Sequence, residues 1–102
     1  NDYRENISHL IIPGIGSFDR GITNLRDKGF DSIIYKHIEL GQPLLGICLG
    51  MQLLTLGSEE GELEGLKIIN SKCIKFDAMK GYNIPHMGWN YIDIEPNNNI
   101  LF

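Results

Sequence analysis

The apolar positions of the first part of the chain change from a continuous run to a helical spacing. Ile7 to Ile12 is rich in β-branched residues and ends at Pro13, so it predicts a buried strand. After a glycine-rich loop, Ser17 is a typical N-cap and Asp19 stands in the first turn of a helix. We predict that this helix runs to about Lys28.

A second helix and a second strand come next. Phe30 to Leu40 has an apolar face, which consists of Ile33, Ile34, His37 and Ile38. Gly41 ends this helix, Pro43 to Ile47 predicts a strand, and Leu49 to Leu56 predicts a short apolar helix. Strand, loop, helices, strand, turn and helix in this order indicate an α/β fold with a mostly parallel sheet flanked by helices.

The pattern changes after Gly57. Residues 58–65 are acidic and interrupted by glycines, which predicts a loop. Beyond it we predict three short strands, over Leu66 to Asn70, Lys72 to Phe76 and Tyr91 to Ile94. A loop over 83–90 precedes the last of them, and Asn97 to Asn99 predicts a polar turn.

Composition limits the function classes. The chain has 102 residues, 42% of them hydrophobic, and a formal net charge of −4, which allows one small core. Because no basic run or basic-aromatic patch is present, we expect no nucleic-acid partner. No apolar stretch is long enough to cross a bilayer and no signal-peptide pattern is present, so we expect no membrane association and a cytoplasmic location.

The two cysteines occupy unlike settings. Cys48 lies between glycines in a turn, whereas Cys73 lies in an alternating, strand-like segment. A disulfide is the alternative, but these settings favour a reduced protein with one reactive and one incidental cysteine. No zinc-finger spacing and no His-Glu-x-x-His motif occurs, so we predict no metal and no organic cofactor.

The segment Gly46-Ile47-Cys48-Leu49-Gly50 places a cysteine at the centre of a Gly-x-nucleophile-x-Gly turn. A strand that turns sharply into a helix here would present the thiol at the end of the sheet, and the residue after it, Leu49, would offer its N–H to an oxyanion. A buried cysteine that only packs is the alternative. The flanking glycines favour a nucleophile, because a packed strand has no need of them.

The loop Pro13-Gly14-Ile15-Gly16 follows the other parallel strand. The N–H of Ile15 or a neighbour could supply a second oxyanion donor, although an ordinary strand-to-helix turn is the alternative. Three histidines could serve as a base: His9 within the first strand, His37 on a helix face and His86 in the 83–90 loop. A dyad of Cys48 and His86 is conceivable, but their separation in sequence does not establish contact.

Residues 46–52, Gly-Ile-Cys-Leu-Gly-Met-Gln, resemble the nucleophile signature of class I glutamine amidotransferases. Within that family, residues 13–18 and above all Pro-His-Met-Gly-Trp-Asn at 85–90 resemble the glutaminase subunits of imidazole glycerol phosphate synthases. Residues 58–61 also fit that pattern. The resemblance covers nearly the whole chain.

The resemblance implies that Cys48 attacks the carboxamide of glutamine and that the N–H groups of Ile15 and Leu49 form the oxyanion hole. In this family the strand that carries Ile15 can require a flip before its N–H points inward. The positions that fall where the family binds glutamine are Gly16, Gly50, Gln52 and Glu60. The positions that fall where the family faces its (β/α)₈-barrel synthase partner, and ammonia crosses between the subunits, are His86, Met87, Trp89 and Asn90. The resemblance thus makes His86 an interface residue, and it implies no cofactor.

The chain departs from the family pattern at both ends. The family's catalytic His-x-Glu pair does not occur after Asn90, and the first strand and helix are missing, so we interpret residues 1–102 as a partial amidotransferase domain that is inactive alone. Three alternatives stay open: a related subunit that supplies ammonia to a surface-sugar pathway, a cysteine hydrolase of similar fold, and a binding module in which Cys48 is incidental.

Overall fold

Three α-helices and two pairs of short parallel strands form the regular structure of residues 7–93, the part of the chain that this computed structural model describes. In chain order the elements are β1 (Leu10–Ile12), α1 (Phe18–Asp27), α2 (Phe30–Glu39), β2 (Leu44–Gly46), α3 (Leu49–Leu53), β3 (Gly57–Ser58), β4 (Lys72–Cys73) and a 3₁₀ turn (Ala78–Lys80). The predicted α/β class with parallel pairing is confirmed.

β1 and β2 pair in parallel, with Leu10 opposite Leu44 and Ile12 opposite Gly46. The two helices α1 and α2 form the connection between them, since a parallel pair needs a long crossover. Both strands therefore end at the same edge of the sheet. Just beyond the paired residues, the Ile47 N–H donates to the Ile12 carbonyl at 2.9 Å and extends the contact toward the turn that follows β2.

Local sequence sets the ends of the two longer helices, which match the predicted helices to within one residue. Ser17 occupies the N-cap position of α1, although its side chain forms no capping hydrogen bond. Gly29, with φ of 70°, separates α1 from α2, and Gly41, with φ of 68°, follows α2. Both glycines adopt a left-handed conformation that a side chain would disfavour.

The core lies between α1, α3 and the β1–β2 sheet. Its buried members are Phe18, Ile22, Leu25, Ile34, Leu49, Leu53, Leu54 and Leu66. His37 is also fully buried, and its Nε2–H donates to the Pro43 carbonyl at 2.9 Å. This bond joins the end of α2 to the start of β2, so the structure gives His37 a structural role.

Several predicted elements are shorter than expected. The first two strands keep three residues each, so His9 lies before β1 instead of within it. The predicted helix over Leu49 to Leu56 ends at Leu53. The strand predicted over Lys72 to Phe76 keeps two residues.

The strand predicted over Leu66 to Asn70 is wrong. The Leu66 N–H donates to the Leu53 carbonyl at 2.8 Å, and the Ile68 N–H donates to the Leu54 carbonyl at 2.9 Å. The segment thus caps the end of α3 and pairs with no strand between residues 7 and 93. Tyr91 to Asp93 is not a strand either, whereas Ile94 and the turn predicted over 97–99 lie outside the described residues.

Candidate active site

Cys48 occupies the turn between β2 and α3, at the edge where β1 also ends. Its backbone has φ of 54° and ψ of −121°, outside the regions that non-glycine residues favour. Such a conformation costs on the order of 1–3 kcal/mol, and residues strained in this way cluster at active sites. Cys48 is exposed and its thiol is free. The sharp strand-to-helix turn expected from the sequence is therefore present.

The two glycines that flank this turn are sterically required. A Cβ on Gly46 would lie 2.6 Å from the Met51 Cα, and a Cβ on Gly50 would lie 1.7 Å from the Ile12 carbonyl oxygen. Both contacts are with backbone, which cannot move aside cheaply. Gly50 thus allows α3 to press against the end of β1; whether it also contacts glutamine stays a prediction.

The predicted oxyanion donors lie where the loop after β1 meets the turn after β2. The Leu49 N–H donates to the Gly14 carbonyl at 3.3 Å, so in this conformation it is already engaged. Ile15 is 93% exposed, and Gly16 has a left-handed φ of 103° with open space where a Cβ would stand. The residues expected to form an oxyanion hole therefore lie in neighbouring loops, and one of the two predicted donors, the Leu49 N–H, is occupied in this structure.

A cavity of about 350 Å³ lies between α3, the loop at 58–60 and the segments 73–76 and 84–86. Its walls come from Gln52, Ser58, Glu60, Cys73, Ile74, Lys75, Phe76, Ile84, Pro85 and His86. It brings together Gln52 and Glu60, two of the residues predicted to bind glutamine. Cys48 is not part of the wall, but the Gln52 N–H donates to the Cys48 carbonyl at 3.2 Å, one helical turn from the thiol-bearing residue. A second cavity of similar volume, between β1 and the helices α1 and α2, is almost wholly apolar and holds no nucleophile.

The acidic loop that carries Glu60 is held at several points. The Ser58 hydroxyl accepts the Glu60 N–H at 3.1 Å. Further along, the Asp19 carboxylate accepts the Glu62 N–H at 3.0 Å on each oxygen and the Leu63 N–H at 2.9 Å. The bonds from Glu62 and Leu63 hold the pKa of the Asp19 carboxyl below its usual range. The sequence indicated only that Asp19 is an acidic residue in the first turn of a helix. Its contact with this loop joins residues more than forty positions apart, so no local sequence pattern could have predicted it.

The described histidines do not contact the thiol. His9 is exposed beside the Ser8 hydroxyl, and His37 is buried below β2. The His86 ring packs against Phe76 with a centroid separation of 5.7 Å, in the cavity wall. None of the three forms a hydrogen bond with Cys48 within residues 7–93, so the conceivable Cys48–His86 dyad is not formed in this structure.

The segment from 87 to 92 presents large side chains to solvent. Trp89 is fully exposed, and Met87, Tyr91 and Ile92 are mostly exposed. Trp89 is therefore not a core residue. Asn90 is exposed as well. This surface has the composition of an interface core, with aromatic residues and methionine, but the partner-facing role of the segment stays a prediction.

Two negative findings concern the described residues. Between residues 7 and 93, His, Cys, Asp and Glu side chains nowhere form a group of three or more that could hold a metal ion. None of the helices in this range has the length and apolar character that a membrane span requires.

Comparison with known proteins places these features in context. The model of the family described as glutamine amidotransferase class-I matches residues 2–96. The chain is 52% identical over 92 residues to imidazole glycerol phosphate synthase subunit HisH 2 of Methanococcus maripaludis, a match that covers 89% of this chain and 46% of the relative.

Two further relatives carry the name imidazole glycerol phosphate synthase subunit HisH. The one from Gloeobacter violaceus is 44% identical over 86 residues, which is 84% of this chain and 38% of the relative. The one from a Cyanothece species is 44% identical over 85 residues, or 83% of this chain and 40% of the relative. The chain thus spans less than half the length of each of these three relatives.

Proposed function

The chain belongs to the class I glutamine amidotransferase family, and we propose that it forms part of a glutaminase subunit that supplies ammonia for imidazole glycerol phosphate synthesis. The main observation behind this proposal is the strained backbone of Cys48, which lies between Gly46 and Gly50. A Cβ at either glycine would clash with neighbouring backbone atoms. The relatives named as subunits of that synthase support the pathway. We place the activity in the cytoplasm as part of the same proposal.

The proposed chemistry is nucleophilic catalysis by the Cys48 thiol. The Cys48 sulfur attacks the carboxamide carbon of glutamine, ammonia leaves, and a γ-glutamyl thioester remains on the sulfur. Water then attacks the thioester, which releases glutamate and restores the thiol. The exposed position of Cys48 at the end of the sheet leaves room for this approach.

The oxyanion hole requires a local rearrangement. Rotation of the peptide between Gly14 and Ile15 would withdraw the Gly14 carbonyl from the Leu49 N–H and turn the Ile15 N–H toward the same point. Two backbone donors would then face the oxygen of the tetrahedral intermediate. The exposed Ile15 side chain and the glycines on both sides of it support such a rotation.

The cavity beside α3 suits the amino-acid end of glutamine. Glu60 offers a carboxylate that can pair with the substrate ammonium group, and Gln52 offers an amide with both donor and acceptor atoms. Gln52 follows Cys48 by one helical turn and its backbone N–H donates to the Cys48 carbonyl, which supports the proposal that a substrate held in this cavity reaches the thiol. Its volume lies within the range of small-molecule sites.

The exposed 87–92 segment is the proposed contact with a (β/α)₈-barrel synthase. Ammonia released into water at neutral pH becomes ammonium, which is not a nucleophile, so its transfer should occur across a closed interface. Trp89 and Met87 could bury large apolar areas there.

The test uses the complete subunit together with its barrel partner. We expect glutamate release that disappears in Cys48→Ala, and labelling by a glutamine-mimicking diazo-ketone that peptide mapping assigns to Cys48 and not to Cys73. With glutamine as the nitrogen source, the complex should make imidazole glycerol phosphate; with ammonium salts, the barrel partner alone should make it. Labelling without product from glutamine would contradict the pathway, and the absence of labelling would contradict the glutaminase itself.

A further inference from the structure

The carboxylate of Asp19 connects the start of α1 to the loop that carries Glu60. It accepts three backbone hydrogen-bond contacts of 3.0 Å or less, two from Glu62 and one from Leu63. Bonds from N–H groups to an ionised acceptor are roughly twice as strong as neutral ones. The carboxylate therefore fixes the far side of the loop.

Glu60 lies between this anchor and a second one. On the near side, the Glu59 N–H donates to the Cys73 carbonyl at 2.9 Å and the Ser58 hydroxyl accepts the Glu60 N–H. The Glu60 side chain forms no hydrogen bond or ion pair with any other described residue, yet it lines the cavity. Its backbone is thus held on both sides while its carboxylate stays available to a ligand.

Gly61 shows how closely the loop approaches α1. A Cβ added there would lie 2.3 Å from the Asp19 Oδ1 and 3.0 Å from the ring of Phe18, which is itself buried. A side chain at this position would push the loop away from the carboxylate. The glycine therefore permits the contact that Asp19 makes.

Asp19 could instead act only as a negative charge near the helix N-terminus, where acidic residues stabilise a helix. Asp31 provides the comparison, because it occupies the same position in α2 and accepts no hydrogen bond from another described residue. The loop contacts are what distinguish Asp19 from Asp31.

We propose that Asp19 is a positioning residue of the glutamine site: its carboxylate fixes the 59–63 loop so that Glu60 faces the cavity. This inference rests on the proposed glutaminase function. Asp19 does not touch the substrate; it acts through Glu60 by limiting the conformations of the loop. The expected consequence is a change in glutamine affinity, because Glu60 lines the cavity whereas Cys48 is not part of its wall.

The experiment measures steady-state glutaminase kinetics of the complete subunit bound to its synthase partner. In Asp19→Asn, one acceptor oxygen becomes an NH₂ group that faces backbone donors, so we expect the KM for glutamine to rise about tenfold with kcat changed less than about twofold. Asp31→Asn, which removes a charge from the equivalent position of α2, should leave both KM and kcat unchanged. Gly61→Ala should raise KM in the same way from the loop side.

A second measurement separates positioning from general damage. Iodoacetamide lacks the amino-acid end of glutamine, so its rate of reaction with Cys48 should be equal in wild type and Asp19→Asn, whereas the diazo-ketone glutamine analogue should react more slowly with the variant. An active wild type with an unchanged KM in both Asp19→Asn and Gly61→Ala would overturn the positioning role alone. If Asp19→Asn slowed the reaction with iodoacetamide as much as the reaction with the glutamine analogue, the positioning role would also be overturned. A wild-type complex that releases no glutamate would refute the proposed function, and the positioning role with it.

Discussion

Replacement of Cys48 by glycine should stabilise the protein while it abolishes the proposed reaction. Cys48 has φ of 54° and ψ of −121°, a conformation that disfavours a Cβ but that glycine adopts readily. Because Cys48 is exposed, loss of its side chain forfeits little buried area. The stability change therefore depends mainly on relief of backbone strain against the greater freedom of glycine in the unfolded chain.

The two terms can be compared directly. Relief of the strained conformation is worth about 1–3 kcal/mol. The additional entropy of an unfolded glycine costs about 0.5–1 kcal/mol relative to alanine. We therefore expect Cys48→Gly to be more stable than Cys48→Ala by roughly 1 kcal/mol. Cys48→Ala keeps the Cβ and the strain, so it is the matched control and should have nearly the stability of the wild type.

The assay is urea unfolding of the complete subunit, followed by fluorescence. The midpoint should rise in Cys48→Gly with the slope unchanged, since a change of slope would signal an altered unfolded state. Neither variant should release glutamate from glutamine. If Cys48→Gly proves no more stable than Cys48→Ala, the turn is not strained in the way the backbone angles indicate, and the reasoning from strain to a nucleophile fails.

Three further predictions follow from other parts of the structure. Gly50→Ala should destabilise the subunit by about 3 kcal/mol or more, because its Cβ would meet the Ile12 carbonyl. Gly57→Ala is the control and should cost much less, because its Cβ would have no neighbour closer than 3.7 Å. Equal urea midpoints for the two variants would contradict this prediction. The Asp19 carboxyl has a lowered pKa in the folded state, so its contribution to stability should be complete above about pH 5 and should decline as the pH falls below about 4. The difference in unfolding free energy between wild type and Asp19→Asn should therefore shrink from pH 6 to pH 3, and a constant difference would contradict this. Trp89→Ala should weaken binding of the synthase partner by about tenfold or more in a calorimetric titration and leave the urea midpoint unchanged, because the ring is fully exposed; unchanged affinity would exclude Trp89 from the interface.

The sequence predicted best what is determined locally. The ends of α1 and α2 coincide with Gly29 and Gly41, each of which acts within one turn of its own position. Ser17 occupies the N-cap position of α1 without a side-chain capping hydrogen bond. The turn at Cys48 could also be predicted from the sequence, because glycines at 46 and 50 indicate a crowded backbone even when the neighbouring atoms are not known. The atoms that require these glycines, Met51 and Ile12, became known only from the structure.

The sequence predicted poorly what depends on distant partners. The segment Leu66 to Asn70 has the composition of a strand, but its N–H groups find the carbonyls at the end of α3 instead of a neighbouring strand. The contact between Asp19 and the loop at Glu62 joins residues 43 positions apart and has no periodic signature. Single positions such as these acquire a role only when the fold brings them together.

The state of the Leu49 N–H sets the energetics of the proposed reaction. In the structure it donates to the Gly14 carbonyl at 3.3 Å, a long bond whose loss costs at most about 0.5–1.5 kcal/mol. An oxyanion donor in a preorganised site contributes about 2.7–4 kcal/mol to the transition state. Since the stabilisation of the oxyanion exceeds the cost of losing the Leu49–Gly14 hydrogen bond, a developing oxyanion could drive the rotation of the Gly14–Ile15 peptide. In the absence of substrate the balance favours the occupied arrangement, so the oxyanion hole would form only as negative charge develops on the oxygen of bound glutamine.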